Sequence, residues 1–312
     1  MLAAPIALLL AATAALAVTG RGPFDGDAQE RPPVRAAAAP ARPTTDRFDV
    51  GRAMRTAKFQ VDAGPRPAGS ATLRRVSRTL RAALPSGRYE PVPGHPGLRN
   101  IVGSIPGPGP VLVIASHIDT LEHPRGHLGA NNAAAGVGAV IELARYARTM
   151  PRPAAARGIR FVLFDGEQSP STDESRFYEL GLRGSKAYVR AHAEEVESMV
   201  LLDYIGNKDL DLPREGASDP VLWARMRAAA RRVGTIRHFP DRVGLSILDD
   251  TTPFTQAGIP AVDVIDWDDP NRHKLSDTYD QLSARSVDVV GETVAQLMVD
   301  RDRAIAAGRG FP

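Results

Sequence analysis

The chain of 312 residues contains no cysteine. That absence removes thiol nucleophiles, thiolate metal sites, iron–sulfur clusters and disulfide frameworks. Lysine is nearly as scarce: Lys58, Lys186, Lys208 and Lys274 are the only four among 39 basic residues. The remaining cations are arginines spread along the chain, and the net charge is only +3, which leaves no basic stripe for nucleic acid. No glycine-rich phosphate-binding motif and no internal repeat occur, and the Pro-Gly segment 105–110 (IPGPGP) reads as a turn. No apolar run reaches the ~20 residues of a spanning helix.

The length is enough for one large domain that buries its own core without staples. Residues 1–18 (MLAAPIALLLAATAALAV) form an uncharged apolar run that suits a signal-peptide core or an N-terminal membrane anchor, with small residues around Ala15 and Ala17 for cleavage. Residues 19–45 are rich in Ala, Pro and Arg, show no apolar periodicity and read as a disordered linker. The folded domain is expected over 46–312, outside the cytoplasm, either secreted or held on the outer face of the cell membrane.

From Asp46 onward, patterned elements begin. Ser70 can cap a helix carrying Leu73, Val76 and Leu80, stopped by Pro85. Residues 100–105, 111–116, 159–164, 199–202 and 261–265 are short apolar runs, read as buried strands. Helical patterns cover 133–146, 220–233 and 286–299. Strands alternating with helices predict an α/β fold with a mixed, mainly parallel central sheet.

Four of these strands run directly into polar residues. VLVIAS leads to His117 and Asp119, IRFVLF to Asp165 and Glu167, MVLL to Asp203, and AVDVI to Asp266 with His273 close behind. In parallel α/β sheets, ligands bind beyond the carboxyl ends of the strands, so these side chains are expected to converge. Imidazole and carboxylate together can hold a catalytic metal, and a further unligated carboxylate can serve as general base. The remaining histidines (His95, His123, His127, His192 and His238) read as surface, loop or supporting residues.

Several motifs in this order resemble the glutaminyl-peptide cyclotransferases, or glutaminyl cyclases, and the related zinc aminopeptidases. They are QVDAGPRPAGS at 60–70, NIVGSIPG and VLVIASHID, GANNAAAG followed by IELARYA, FDGEQ at 164–168, LRGSKAYV, LLDYIG at 201–206 against the cyclases' Leu-Leu-Asp-Leu-Ile-Gly, and DDTTPFTQAGIPAVDVI with HKLSD. The resemblance implies a three-layer zinc-aminopeptidase-like fold, peptide or protein N-termini as substrate and one zinc ion. It implies Glu167 as general acid/base, Asp250 as a proton-relay aspartate, and His117, Asn132, Gln168, Asp203 and His273 at the metal-ligand positions. Asp203 doubles as an active-site aspartate in the cyclases. Asp119, Asp165 and Asp249 would support these groups from behind, and Trp267 would line the substrate site.

Two departures stand inside the implied ligand set. Asn132 occupies an aspartate position of the family and Gln168 a glutamate position. Both amides are neutral, and each replacement is expected to weaken zinc by at least ~10–100-fold. Thr251 stands where cyclases have histidine, and Arg272 where a tryptophan precedes the last histidine. Three functions follow as expectations. The first is an exported glutaminyl cyclase-like zinc enzyme, the second a zinc aminopeptidase, and the third a non-catalytic relative that binds peptide N-termini.

Overall fold

The structure is a computed structural model, and it describes residues 41–311. The signal or anchor segment and linker residues 19–40 lie outside the described residues. Residues 41–45, expected within the disordered linker, are tied down. Ala41 N–H donates to His238 Nε2 at 2.9 Å, Thr44 N–H to the Val233 carbonyl at 3.0 Å, and Thr45 Oγ1 to Glu292 at 2.5 Å. The anchor is Glu292, whose carboxylate also takes the backbone N–H of Phe48 at 2.7 Å. Among the described residues no helix is long and apolar enough to cross a membrane.

Two helices open the domain. Helix α1 (Val50–Asp62) is capped by Asp49, which accepts the Arg52 N–H at 2.8 Å. Helix α2 (Ala71–Ala83) is capped by Ser70, which accepts the Leu73 N–H at 3.1 Å. Each cap satisfies a backbone donor that the first helical turn leaves free.

Six strands follow: β1 (Arg88–Pro91), β2 (Arg99–Ile105), β3 (Val111–His117), β4 (Ile159–Phe164), β5 (Val196–Asp203) and β6 (Ala261–Ile265). They form one sheet in the order β1-β2-β4-β3-β5-β6. The first two are antiparallel additions, whereas β4, β3, β5 and β6 run parallel. The chain therefore steps from β3 to β4 on one side and then to β5 on the other. The carboxyl ends of β3 and β5 flank the resulting switch point, where crevices form in open α/β sheets.

Both faces of the sheet are covered, which accounts for the nearly unbroken apolar runs of its central strands. Leu112, Ile114, Phe161, Leu163, Val200 and Leu202 join the core under α1, α3 (Gly136–Thr149) and α6 (Ala284–Ala306). The intervening Val113, Ala115, Val162, Phe164, Met199 and Leu201 pack on the opposite side against Tyr188 and Val189 of α4 (Arg183–His192) and against Phe254. Each buried aliphatic or aromatic side chain contributes about 1.5–3 kcal/mol of transfer free energy. Helix α5 (Pro220–Arg232), capped by Asp219 with Pro220 at its first position, packs beside α6. Gly136, at the start of α3, sits so close to the sheet that a Cβ there would stand 2.2 Å from the Leu202 carbonyl oxygen. The helix expected from residue 133 accordingly begins later, after a wide turn at Ala130–Ala135 in which Asn132 leaves helical geometry (φ −104, ψ 80).

Candidate active site

Parallel register brings the strand ends to one edge: His117 pairs with Phe164, and Asp203 with Ile265. The first residues beyond β4 and β6, Asp165 and Asp266, lie at the same edge. His117 is completely buried. Its Nδ1 lies 3.0 Å from the backbone carbonyl of Asp119 and 3.7 Å from Glu167 Oε2, while its Nε2 lies 3.7 Å from Asp203 Oδ1. Burial works against a charged ring, but Glu167, Asp119 and Asp203 prevail, so the His117 pKa stands well above the ordinary imidazole value. Burial, with Asp249 and Asp250 nearby, likewise raises the Glu167 carboxyl well above its usual range. Asp250 is pushed up to about 7, chiefly by burial, and Asp249 is raised for the same reason.

Asp119 does more than support His117. Its carboxylate accepts the backbone N–H groups of Gly166 at 3.0 Å, Glu167 at 3.1 Å and Gln168 at 3.0 Å. It thereby fixes the turn that presents Glu167. Asp165 faces away from this turn, accepting the Arg99 N–H at 3.0 Å. Burial pushes its carboxyl up to about 7.

The other half of the site differs in kind. Gln168 Nε2 donates to Asn132 Oδ1 at 3.2 Å, and Asn132 Nδ2 donates to the Tyr204 hydroxyl at 2.6 Å. Asp277 accepts the backbone N–H groups of Asn131 at 2.7 Å and Asn132 at 3.1 Å, which holds the loop in place. From below, the fully buried Arg66 guanidinium donates to the carbonyls of Gln60, Gly64, Leu128 and Gly129. His273 stands at the mouth in left-handed backbone (φ 58), its ring edge-on to Trp267 with centroids 6.4 Å apart. A cavity of about 240 Å³ opens there, lined by Gln168 and His273 together with Leu121, His123, Glu174 and Phe177.

The ligand set implied by resemblance is therefore only partly assembled. His117 and Asp203 face each other, and Asn132 meets Gln168. Yet among the described residues no group of three or more His, Asp or Glu side chains is placed to hold a metal ion. The donors do not fit zinc. Two of the five implied ligand positions, Asn132 and Gln168, carry neutral amides, and the Asn132 oxygen that would coordinate is taken by the Gln168 amide. Trp267, expected to line the substrate site, does not line the cavity. Its ring is covered by the Arg272 guanidinium, 3.8 Å from the centroid.

Sequence reasoning passed over Tyr204, Arg66 and Asp263. Tyr204 could have been found, since it replaces the third leucine of the cyclase Leu-Leu-Asp-Leu motif. Asp263 lies fully buried inside β6 beside Asp249, Asp203 and Glu215, hidden in the apolar run AVDVI.

Comparison with known proteins follows the same lines. The sequence pattern of Peptidase family M28 matches residues 100–298, more than half of the chain. The chain belongs to peptidase family M28. Aminopeptidase YwaD of Bacillus subtilis (strain 168) is 27% identical over 178 residues, which are 54% of this chain and 34% of that protein. The chain thus spans about a third of the length of this curated relative. The glutaminyl cyclase of Porphyromonas gingivalis is 28% identical with a TM-score of 0.72, over 82% of this chain and 99% of that one. A leucine aminopeptidase precursor from Bacteroides thetaiotaomicron VPI-5482 is 26% identical with the same TM-score of 0.72, over 84% of this chain and 98% of that one. The family match and the two solved structures thus agree on the fold of the chain. Zinc, expected from the sequence resemblance, has no complete ligand set among the described residues.

Proposed function

We propose that this M28 protein is an exported enzyme that closes an N-terminal glutamine to pyroglutamate without a metal. One observation carries the reading. The carboxylate of Glu167 is buried with its Oε2 free of hydrogen bonds, while the neighbouring metal-ligand positions, Asn132 and Gln168, are neutral and bonded to each other. Hydrolysis of a peptide bond at such a site needs water made nucleophilic, which the aminopeptidases assign to metal. Cyclisation brings its own nucleophile. The substrate's α-amine attacks its own γ-carboxamide carbon, and closure within one molecule carries a large effective concentration.

In this scheme Glu167 takes a proton from the attacking amine as the C–N bond forms. It returns that proton to the departing amide nitrogen as the second C–N bond breaks, and ammonia leaves. No water is consumed. The second N–H of Gln168 Nε2 is the donor available to the substrate carbonyl. A single neutral donor of this kind is worth roughly 10²–10³ in rate.

The test is direct. Purified protein is incubated with a glutaminyl peptide and with a leucyl anilide, with and without chelator. Ammonia release that persists in chelator supports the reading. Anilide hydrolysis that chelator abolishes overturns it in favour of a zinc aminopeptidase.

A further inference from the structure

The cavity at Gln168 and His273 is unlike the buried carboxylate nest beside it. Its volume of about 240 Å³ is below the ~300–1,000 Å³ of a site for a drug-sized ligand, so it accommodates one side chain rather than a peptide. Its inner wall is Gln168, only 6% exposed, whose Nε2 gives one of its two N–H groups to Asn132 and whose Oε1 accepts no hydrogen bond among the described residues. Its outer wall carries Ser169, Ser171, Thr172, Asp173 and Glu174.

The side-chain oxygens lining this space can all accept hydrogen bonds, the hydroxyls donating as well, and two of the side chains, Asp173 and Glu174, are carboxylates. Asp173 is held ionised by neutral donors, the hydroxyl of Ser175 at 2.6 Å and its N–H at 3.0 Å, which lower its pKa. Glu174 is exposed and makes no ion pair among the described residues. The nearby cations are engaged elsewhere. Arg176 pairs with Glu179 at 2.9 Å, Arg183 donates to the Gln168 carbonyl at 2.7 Å, and Arg272 lies on Trp267.

We infer that this cavity receives a basic side chain, lysine or arginine, from the residue that follows the substrate's N-terminal glutamine. The inference rests on the proposed cyclase reading for which residue comes first, but not for the pocket's charge preference. A guanidinium or ammonium brings only donors, and so matches Gln168 Oε1 at one end and Asp173 with Glu174 at the other.

The test separates the two ideas by measuring binding and turnover apart. Affinities of Gln-Arg-Ala, Gln-Ala-Ala and Gln-Glu-Ala are measured calorimetrically on the full chain carrying Glu167→Gln, and ammonia release is measured on the unaltered chain. Arginine is expected to bind ~3–10-fold tighter than alanine, with glutamate weakest, since exposed ion pairs are worth little each. The ratio should shrink at 1 M salt, where the screening length is about 3 Å. Glu174→Gln, an exposed change, should reduce the arginine-to-alanine ratio roughly twofold. Equal affinities, or no measurable binding, overturn the pocket assignment. An arginine preference without ammonia release leaves the pocket standing and sinks the cyclase reading, while ammonia release at equal affinities does the reverse.

Discussion

The two halves of the site meet at adjacent residues, Glu167 and Gln168, yet follow opposite chemistry. On one side, His117, Asp119, Glu167 and Asp203 retain the family's ionisable groups, with His117 3.7 Å from both Glu167 and Asp203. On the other, Asn132, Gln168 and Tyr204 are neutral and linked through hydrogen bonds of 3.2 and 2.6 Å. The ionisable half needs counter-charge or shared protons because its carboxylates are buried. The neutral half needs neither, since each amide already has a partner. On the function proposed above, the contrast means that the proton-handling part of this fold is kept while its metal-holding part is exchanged for amides.

The largest expected effect falls on the ionisable half. Glu167→Gln should reduce ammonia release ~10²–10⁴-fold with the circular dichroism spectrum unchanged. An unaltered rate would remove Glu167 from the chemistry and blur the division between the halves. Next in size is conversion of the neutral half into its charged counterpart. Asn132→Asp with Gln168→Glu and Tyr204→Leu should raise zinc affinity by ~10²–10⁴, read by calorimetry, because two anionic ligands return. A triple variant that binds zinc no better than the parent would show that these residues do not stand at a metal position.

A smaller effect concerns Tyr204 alone. Tyr204→Phe leaves the Asn132 amide without its acceptor in a buried site and should cost about 1–3 kcal/mol in chemical denaturation. No loss would mean that the amide finds another partner. A further effect is a pH dependence at Asp165, outside both halves. Burial raises this carboxyl from 3.8 to about 7 in the folded chain. The folded state therefore holds a proton that the unfolded state has released, and the stability this gives is present below pH ~4 and lost as pH rises toward 7. Asp165→Asn, which mimics the protonated form, should gain on the parent in melting temperature between pH 4.5 and 7.5. A constant difference across that range would contradict the burial argument.

The strand runs and the residues at their ends were legible because parallel strands are apolar throughout and stop where the chain turns polar. Ser70 was legible as a cap for a similar reason, being a local signal. Strand β1 was not, since four residues including Pro91 carry no periodicity. The amide pairing was not either: Gln168 and Asn132 lie 36 positions apart, and Asn132 and Tyr204 72 apart, so only the assembled sheet edge brings them together. Their neutrality could be read residue by residue, but not that they satisfy one another. That Arg272 lies over the Trp267 ring was not legible either, since nothing in the sequence pairs those two side chains. Residues 41–45 looked like linker because their order depends on Glu292 and His238, far along the chain.

Zinc stoichiometry in the folded, purified protein, after dialysis against micromolar zinc, bears most directly on the exchange of metal for amides. The account predicts far less than one equivalent, with ammonia release from a glutaminyl peptide unaffected by chelator. One tightly held equivalent per chain, removed by chelator together with activity, would contradict it.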